Sequence, residues 1–300
     1  MGFREILEFV KIEHTLFSLP FVLIGYILAE NQYGAEPFDI FWIISAAVGA
    51  RGLAMTLNRI IDKDIDAANP RTAERHLVTG TMSIITAWQL SSIFLLILLF
   101  SAWKLNIVAL MLSWIPVSAF AIYPYTKRYT WLCHFWLGLC LALAPAGAWL
   151  AVSADSLGWD AIFGTDGNQQ WFPEVFLISM GVAFWIAVFD MNYARMDSEN
   201  DRENNLFSIP SRFGEEATTR LSVILTLFWL LCFTLTFGFG DSSQSIYILS
   251  VAIMATLSIS VILSRERLVD FQKSLFRVFM LTGWVILATI IMVEPQSITT

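Results

Sequence analysis

Nine predominantly apolar stretches recur along the chain, near positions 14–30, 38–58, 84–103, 106–123, 131–152, 174–194, 217–238, 244–264 and 275–293. Each approaches the roughly twenty residues a helix needs to cross the hydrocarbon core of a bilayer. The third and fourth are parted only by Lys104, Leu105 and Asn106, which predicts a tight turn. No Gly/Ser linker, low-complexity tract or charged tail divides the sequence. The pattern predicts an all-α, polytopic membrane bundle of nine transmembrane helices, with residues 1–300 as a single membrane-embedded domain.

Composition agrees with the pattern: 57% of residues are hydrophobic and only 14% are charged, with a mean hydropathy of +0.65. That excludes a soluble domain. The start of the chain is mixed in charge (Arg4, Glu5, Glu8, Lys11, Glu13) and no small-residue cleavage site follows. The first apolar run therefore reads as a retained helix rather than a signal peptide. Cys133, Cys140 and Cys232 all fall within apolar runs, as buried free thiols do, rather than disulfide or metal cysteines. The net charge of −7 says little about partners, and no nucleic-acid partner is expected.

What matters is how charge divides between the two sides. With nine helices, sixteen of the 18 Lys and Arg fall on one side: Arg4, Lys11, Arg59, Lys63, Arg71, Arg75, Lys127, Arg128, Arg195, Arg202, Arg212, Arg220, Arg265, Arg267, Lys273 and Arg277. The other side has Lys104 alone, and Arg51 lies within the second helix. The asymmetry places the N-terminus and the loops of the basic side in the cytoplasm, in a multi-pass protein of the cytoplasmic (inner) membrane. The C-terminal tail then ends outside.

Two of those basic-side loops are also acidic. Asn58, Asp62 and Asp66 repeat every fourth residue, so if the second helix continues they share a face while Asp64 points away. Asp190, Asp197 and Asp201, spaced seven and four apart, form a second such face. Asp62-x-Asp64-x-Asp66 opens like a calcium loop, but Ala67 and Ala73 stand where that loop needs Gly and Glu. Crowded carboxylates instead suggest a hard divalent cation shared with a phosphate ligand. Two such faces at helix ends suggest one site.

Arg51 lies two turns deeper than Asn58 on about the same face, where a guanidinium is expensive. Its planar fork suits a carboxylate held bidentately. Between the acidic stretches runs Tyr123-Pro124-Tyr125-Thr126-Lys127. Pro124 is expected to end the fourth helix, leaving Tyr123 and Lys127 near the acids. His14, His76 and His134 read as interfacial or packing residues. Ionisation of an allylic diphosphate would use this combination: carboxylates holding Mg²⁺ on the diphosphate, bases taking the remaining charge, and an apolar groove for an isoprenoid tail. A secondary transporter using Arg51 and the acids as an ion path is the other class, although transporters place coupling residues near the midplane.

Over nearly the whole chain the sequence resembles the intramembrane UbiA-type prenyltransferase family. The resemblance rests on Asn58-x3-Asp62-x3-Asp66 with Asn69-Pro70-Arg71-Thr72, Tyr123-x3-Lys127, Asp190 with Asp197-x3-Asp201, and Ile209-Pro210-Ser211-Arg212-Phe213-Gly214. It implies that Asn58, Asp62, Asp66, Asp197 and Asp201 hold Mg²⁺ and diphosphate, that Lys127 and Tyr123 assist there, and that Arg51 meets an aromatic carboxylate. Arg59, Arg71, Asp190 and Tyr193 join the substrate-binding set. Implied partners are polyprenyl diphosphate, a small aromatic acid such as 4-hydroxybenzoate, and membrane lipid. Glu199 and Asn200 interrupt a stretch that is nearly all Asp in proteobacterial 4-hydroxybenzoate enzymes. The opening Lys11 to Phe21 is similar to a branch of the family that includes proposed 1,4-dihydroxy-6-naphthoate prenyltransferases of futalosine-route menaquinone synthesis.

Overall fold

In lipid a spanning segment must satisfy its own backbone hydrogen bonds, so apolar runs of this length fold as helices. The computed structural model describes residues 5, 8–10, 15–165, 168–237 and 242–293. Arg4, Lys11, His14 and the expected outer C-terminal tail lie outside them. The long helices are α1 (Thr15–Tyr33), α2 (Asp39–Ile61), α3 (Ile84–Leu105), α4 (Ile107–Leu112 and Trp114–Tyr129, broken at Ser113), α5 (Cys133–Leu157), α6 (Glu174–Tyr193), α7 (Ile209–Thr236), α8 (Ser242–Leu263) and α9 (Phe271–Val293). Among the described residues the only extended pairing is a single bridge between Thr165 and Asn168.

Eight of these helices are long and apolar enough to cross a membrane, and large apolar side chains such as Phe41, Ile85, Leu96, Trp103, Leu231 and Leu263 stay exposed on them. The chain is thus an integral, multi-pass membrane protein. Helix α1 falls short of the eight because Glu30, Asn31 and Gln32 dilute its end, but it packs within the same bundle.

The turn predicted at residues 104–106 is present: Asn106 ends α3 and accepts the Ala109 N–H at 2.8 Å to start α4. Pro124 does not end α4, which continues to Tyr129; packing within the bundle overrides the local propensity. Helix α7 starts eight residues before its apolar run. Pro210 sits in the first turn, the Ser208 and Ser211 side chains form a reciprocal cap, and the helix kinks at Gly214.

Helix α1 packs on α5, α5 on α6, α6 on α7, α7 on α8, α8 on α9, and α9 returns to α1; α2 packs on α3 and α4, and α4 closes against α5. An aromatic core joins α1, α6, α7 and α9. Phe17 stacks on Trp185 at 4.6 Å, Trp185 on Phe279 at 5.7 Å and Phe21 on Phe233 at 6.0 Å.

Small residues bring helix backbones together beside this core, as in membrane bundles generally. A Cβ at Gly25 of α1 would lie 2.1 Å from the Pro145 carbonyl oxygen of α5, a clash with backbone that no rotamer relieves. Gly25→Val is expected to destabilise the bundle by about 3 kcal/mol or more. Gly147→Ala, with nothing within 4 Å of its added Cβ, serves as the control. Thermal unfolding in detergent should show a lowered midpoint for the first variant only.

Candidate active site

Helix α2 carries Arg51, Asn58 and Arg59 and ends at Ile61. At Asp62 the backbone turns (φ −92°, ψ 8°) into a short helix, Lys63–Ala68. The break is slight: the Asp62 N–H still reaches the Asn58 carbonyl at 2.9 Å, and the Asp66 N–H the Asp62 carbonyl at 2.8 Å. Asn58, Asp62 and Asp66 therefore keep a common face, while Asp64 is exposed. The second stretch is built alike, with α6 giving way to a 3-10 turn, Ala194–Asp197, and then a short helix, Ser198–Glu203.

The two stretches interlock. Arg71 clamps the Asp197 carboxylate through Nε (2.8 Å) and Nη2 (2.5 Å), Asn69 Nδ2 donates to Asp197 Oδ1 at 2.8 Å, and Asn200 Nδ2 donates to the Ala68 carbonyl at 3.0 Å. Asn200, an interruption in the acidic run, is thus a tie between the two loops. Lys127 Nζ lies 2.6 Å from Asp62 Oδ2, and Arg128 donates to the Ile61 carbonyl at 2.6 Å and to Asp62 Oδ1 at 3.3 Å. Arg75 pairs with Asp66 at 2.6 Å. The Ser208 hydroxyl donates to Asp201 at 2.9 Å.

Burial pushes the Asp62 carboxyl up from its ordinary range, and Lys127 pulls it back without cancelling the rise. Burial works against the Arg71 charge, but the hydrogen bonds and charge of Asp197 outweigh it and raise the guanidinium further.

These side chains close one end of a cavity of about 840 Å³, whose remainder is mainly apolar, with Leu98, Leu112, Leu141 and Trp171 on its walls. All twelve residues singled out from the sequence line it: Arg51, Asn58, Arg59, Asp62, Asp66, Arg71, Tyr123, Lys127, Asp190, Tyr193, Asp197 and Asp201. Arg51 contributes a buried Nε with no hydrogen-bond partner. Arg59 stands with its guanidinium 5.0 Å over the ring of Phe9, and its buried Nε is also unpartnered.

The UbiA prenyltransferase family matches residues 18–289. The chain belongs to that family. It is 26% identical over 256 residues to the 4-hydroxybenzoate octaprenyltransferase of Haemophilus ducreyi, covering 85% of this chain and 86% of that protein. The apo structure of a UbiA homolog from Aeropyrum pernix K1 superposes with a TM-score of 0.79 at 32% identity, covering 94% of this chain and 98% of that one. A UbiA homolog from Archaeoglobus fulgidus bound to GPP and Mg²⁺ shares the fold, with a TM-score of 0.65 at 16% identity, over 95% of this chain and 99% of that one.

As a member of this transferase family with its acids gathered at one end of the cavity, the protein gives the transporter reading no support. Among the described residues no three His, Cys, Asp or Glu side chains converge to hold a metal ion. The side chains gathered at that end of this UbiA-family prenyltransferase, Asn58 with Asp62, Asp66, Asp197 and Asp201, present oxygen ligands of the kind a hard divalent cation such as Mg²⁺ takes.

His134, expected as an interfacial or packing residue, is buried, and it also lines the cavity and bonds Asp190 at 2.7 Å. Nothing in its sequence neighbourhood signals that partner, which lies 56 residues away. Arg75 and Ser208 were equally silent as site residues. His76 does pack, its ring edge-on to Phe9 at 6.1 Å. Among the cysteines, Cys133 and Cys140 are buried, Cys232 is partly so, and all three are free.

Proposed function

We propose that this prenyltransferase moves a polyprenyl chain from polyprenyl diphosphate to 4-hydroxybenzoate in quinone biosynthesis, by Mg²⁺-dependent electrophilic aromatic substitution. Residues 1–300 act as one membrane-embedded unit of the inner membrane, with the acid-rich end facing the cytoplasm. Asn58, Asp62, Asp66, Asp197 and Asp201 would hold Mg²⁺, which neutralises diphosphate charge as the leaving group departs. Lys127, Arg59, Arg71 and Tyr123 bind the diphosphate oxygens, and the apolar walls take the first isoprene units. Tyr193 and Asp190 flank the acceptor.

Arg51 carries the assignment to an aromatic carboxylate. A guanidinium within the bundle, lining the cavity with its Nε buried and unpartnered, is costly unless an anion completes it. The names of the relatives supply 4-hydroxybenzoate as that anion. The sequence from Lys11 to Phe21 favours 1,4-dihydroxy-6-naphthoate as a second reading, and its carboxylate would meet Arg51 equally.

The test is purified protein in lipid with Mg²⁺ and octaprenyl diphosphate, offered either acceptor, with products followed by mass. Prenylated 4-hydroxybenzoate is the expected product. Product from the naphthoate alone would move the acceptor assignment, and an intact donor with both acceptors would overturn the reading. Arg51→Met is expected to raise the acceptor KM at least about thirtyfold, the loss for one partner of a buried charge pair being about 2–5 kcal/mol. Donor affinity should hold within about threefold; a fall in donor affinity instead would assign Arg51 to the diphosphate.

A further inference from the structure

Five aspartates line the cavity, and one has a different kind of partner. Asp62, Asp66 and Asp197 each touch a Lys or Arg, and Asp201 accepts the Ser208 hydroxyl. Asp190 is held by His134, whose Nδ1 lies 2.7 Å from Asp190 Oδ2. On the far side of the ring, the Ile209 N–H reaches His134 Nε2 at 3.2 Å.

A backbone amide can only donate, so Nε2 presents its lone pair and the ring proton sits on Nδ1. The imidazole, 2% exposed, is a fixed neutral donor; a second proton would set two donors against each other at Ile209. A neutral N–H orients a carboxylate without cancelling its charge. Asp190 Oδ1 has no partner among the described residues, and the side chain stays 25% exposed.

Asp190 precedes Asp197 by seven residues and lies within α6, before the turn at Ala194–Asp197, as Arg51 precedes Asn58 by seven within α2. With one oxygen uncommitted and its position set back from Asp197 within α6, this carboxylate is available to the acceptor of the proposed reaction.

We propose that Asp190 is the base that removes the aromatic proton and that His134 is its positioning residue, a role that rests on the reading of the site as aromatic prenyl transfer. The donor C–O bond breaks, diphosphate leaves with its electron pair, and the prenyl C1 bonds to a ring carbon. The hydrogen on that carbon passes as a proton to Asp190 Oδ1, and the C–H electron pair restores the aromatic ring. His134 keeps its own proton throughout and holds the receiving oxygen toward the ring.

The experiment uses the full chain in lipid with Mg²⁺, octaprenyl diphosphate and whichever of the two acceptors the wild type prenylates, with and without deuterium at the reacting ring carbon. Asp190→Asn is expected to lower kcat by about 10²- to 10⁴-fold, the usual worth of a general base. His134→Leu should lower kcat on the order of tenfold, with acceptor KM and donor affinity held within about threefold. The deuterium effect on kcat should rise above its wild-type value in both, because proton removal becomes limiting. His134→Gln, which keeps an N–H donor, should recover most of the loss. An unchanged kcat in His134→Leu, or a loss with no rise in the isotope effect and no recovery in His134→Gln, overturns the proposal. A wild type that prenylates neither acceptor overturns the functional reading and this one with it.

Discussion

Asp62→Asn is expected to abolish prenyl transfer, lowering kcat/KM by about 10³-fold or more, while the bundle stays folded. The carboxylate is buried at 1% exposure, whereas Lys127 and Arg128, which meet it, are 30% and 33% exposed. Removing the charge leaves two bases that water can reach, and Arg128 keeps its bond to the Ile61 carbonyl. The loss of stability should therefore stay near 1 kcal/mol, typical of pairs whose bases are solvated. Truncating the exposed member of such a pair instead would strand a buried charge, at about 3–5 kcal/mol. Asp64→Asn is the control, since Asp64 is exposed beyond the kink. Product by mass and thermal midpoint, measured on both variants, decide the matter. Near-normal turnover in Asp62→Asn, or equal losses in the two variants, would remove Asp62 from the metal site.

The helices and their order were legible in the sequence because lipid admits few ways to span it, and a run of twenty apolar residues has no soluble use of that frequency. The acidic faces were legible because the four-residue spacing survives the kink at Asp62. Helix α7 was read late because Arg212, Glu215 and Glu216 make its first two turns look like a loop; Ser208 and Pro210 were the signals that begin it. Pro124 misled for the opposite reason, a local breaker outweighed by the bundle around it. What stayed hidden was pairing across the chain. Arg71 meets Asp197 across 126 residues and Arg128 meets Asp62 across 66, and no spacing rule reaches that far. His134 was hidden for the same reason.

Lys127→Met is expected to move two affinities in opposite directions. In the proposed reaction Lys127 and Arg71 are the bases offered to the diphosphate, yet here they occupy the carboxylates that would be offered to the cation. Both oxygens of Asp197 are engaged, Oδ1 by Asn69 and Arg71 and Oδ2 by Arg71; Asp62 Oδ2 takes Lys127 and Asn58. A cation at either carboxylate competes with a base for the same charge, and a base released from it gains most where a diphosphate receives it. Donor and cation affinities should thus be coupled, each raising the other by the same factor. Without donor, Lys127→Met frees the buried Asp62 oxygen and should strengthen Mn²⁺ binding, read by its spin resonance, about tenfold. With Mg²⁺ present it should weaken donor binding by about 10- to 100-fold, the loss of one charged hydrogen-bonding partner. Arg71→Met should show the same signs at smaller amplitude, since Arg71 is the more exposed base and its pair is correspondingly weaker. A base that serves only to hold the loops together would lower both affinities on removal, and that outcome in Lys127→Met would refute the coupling.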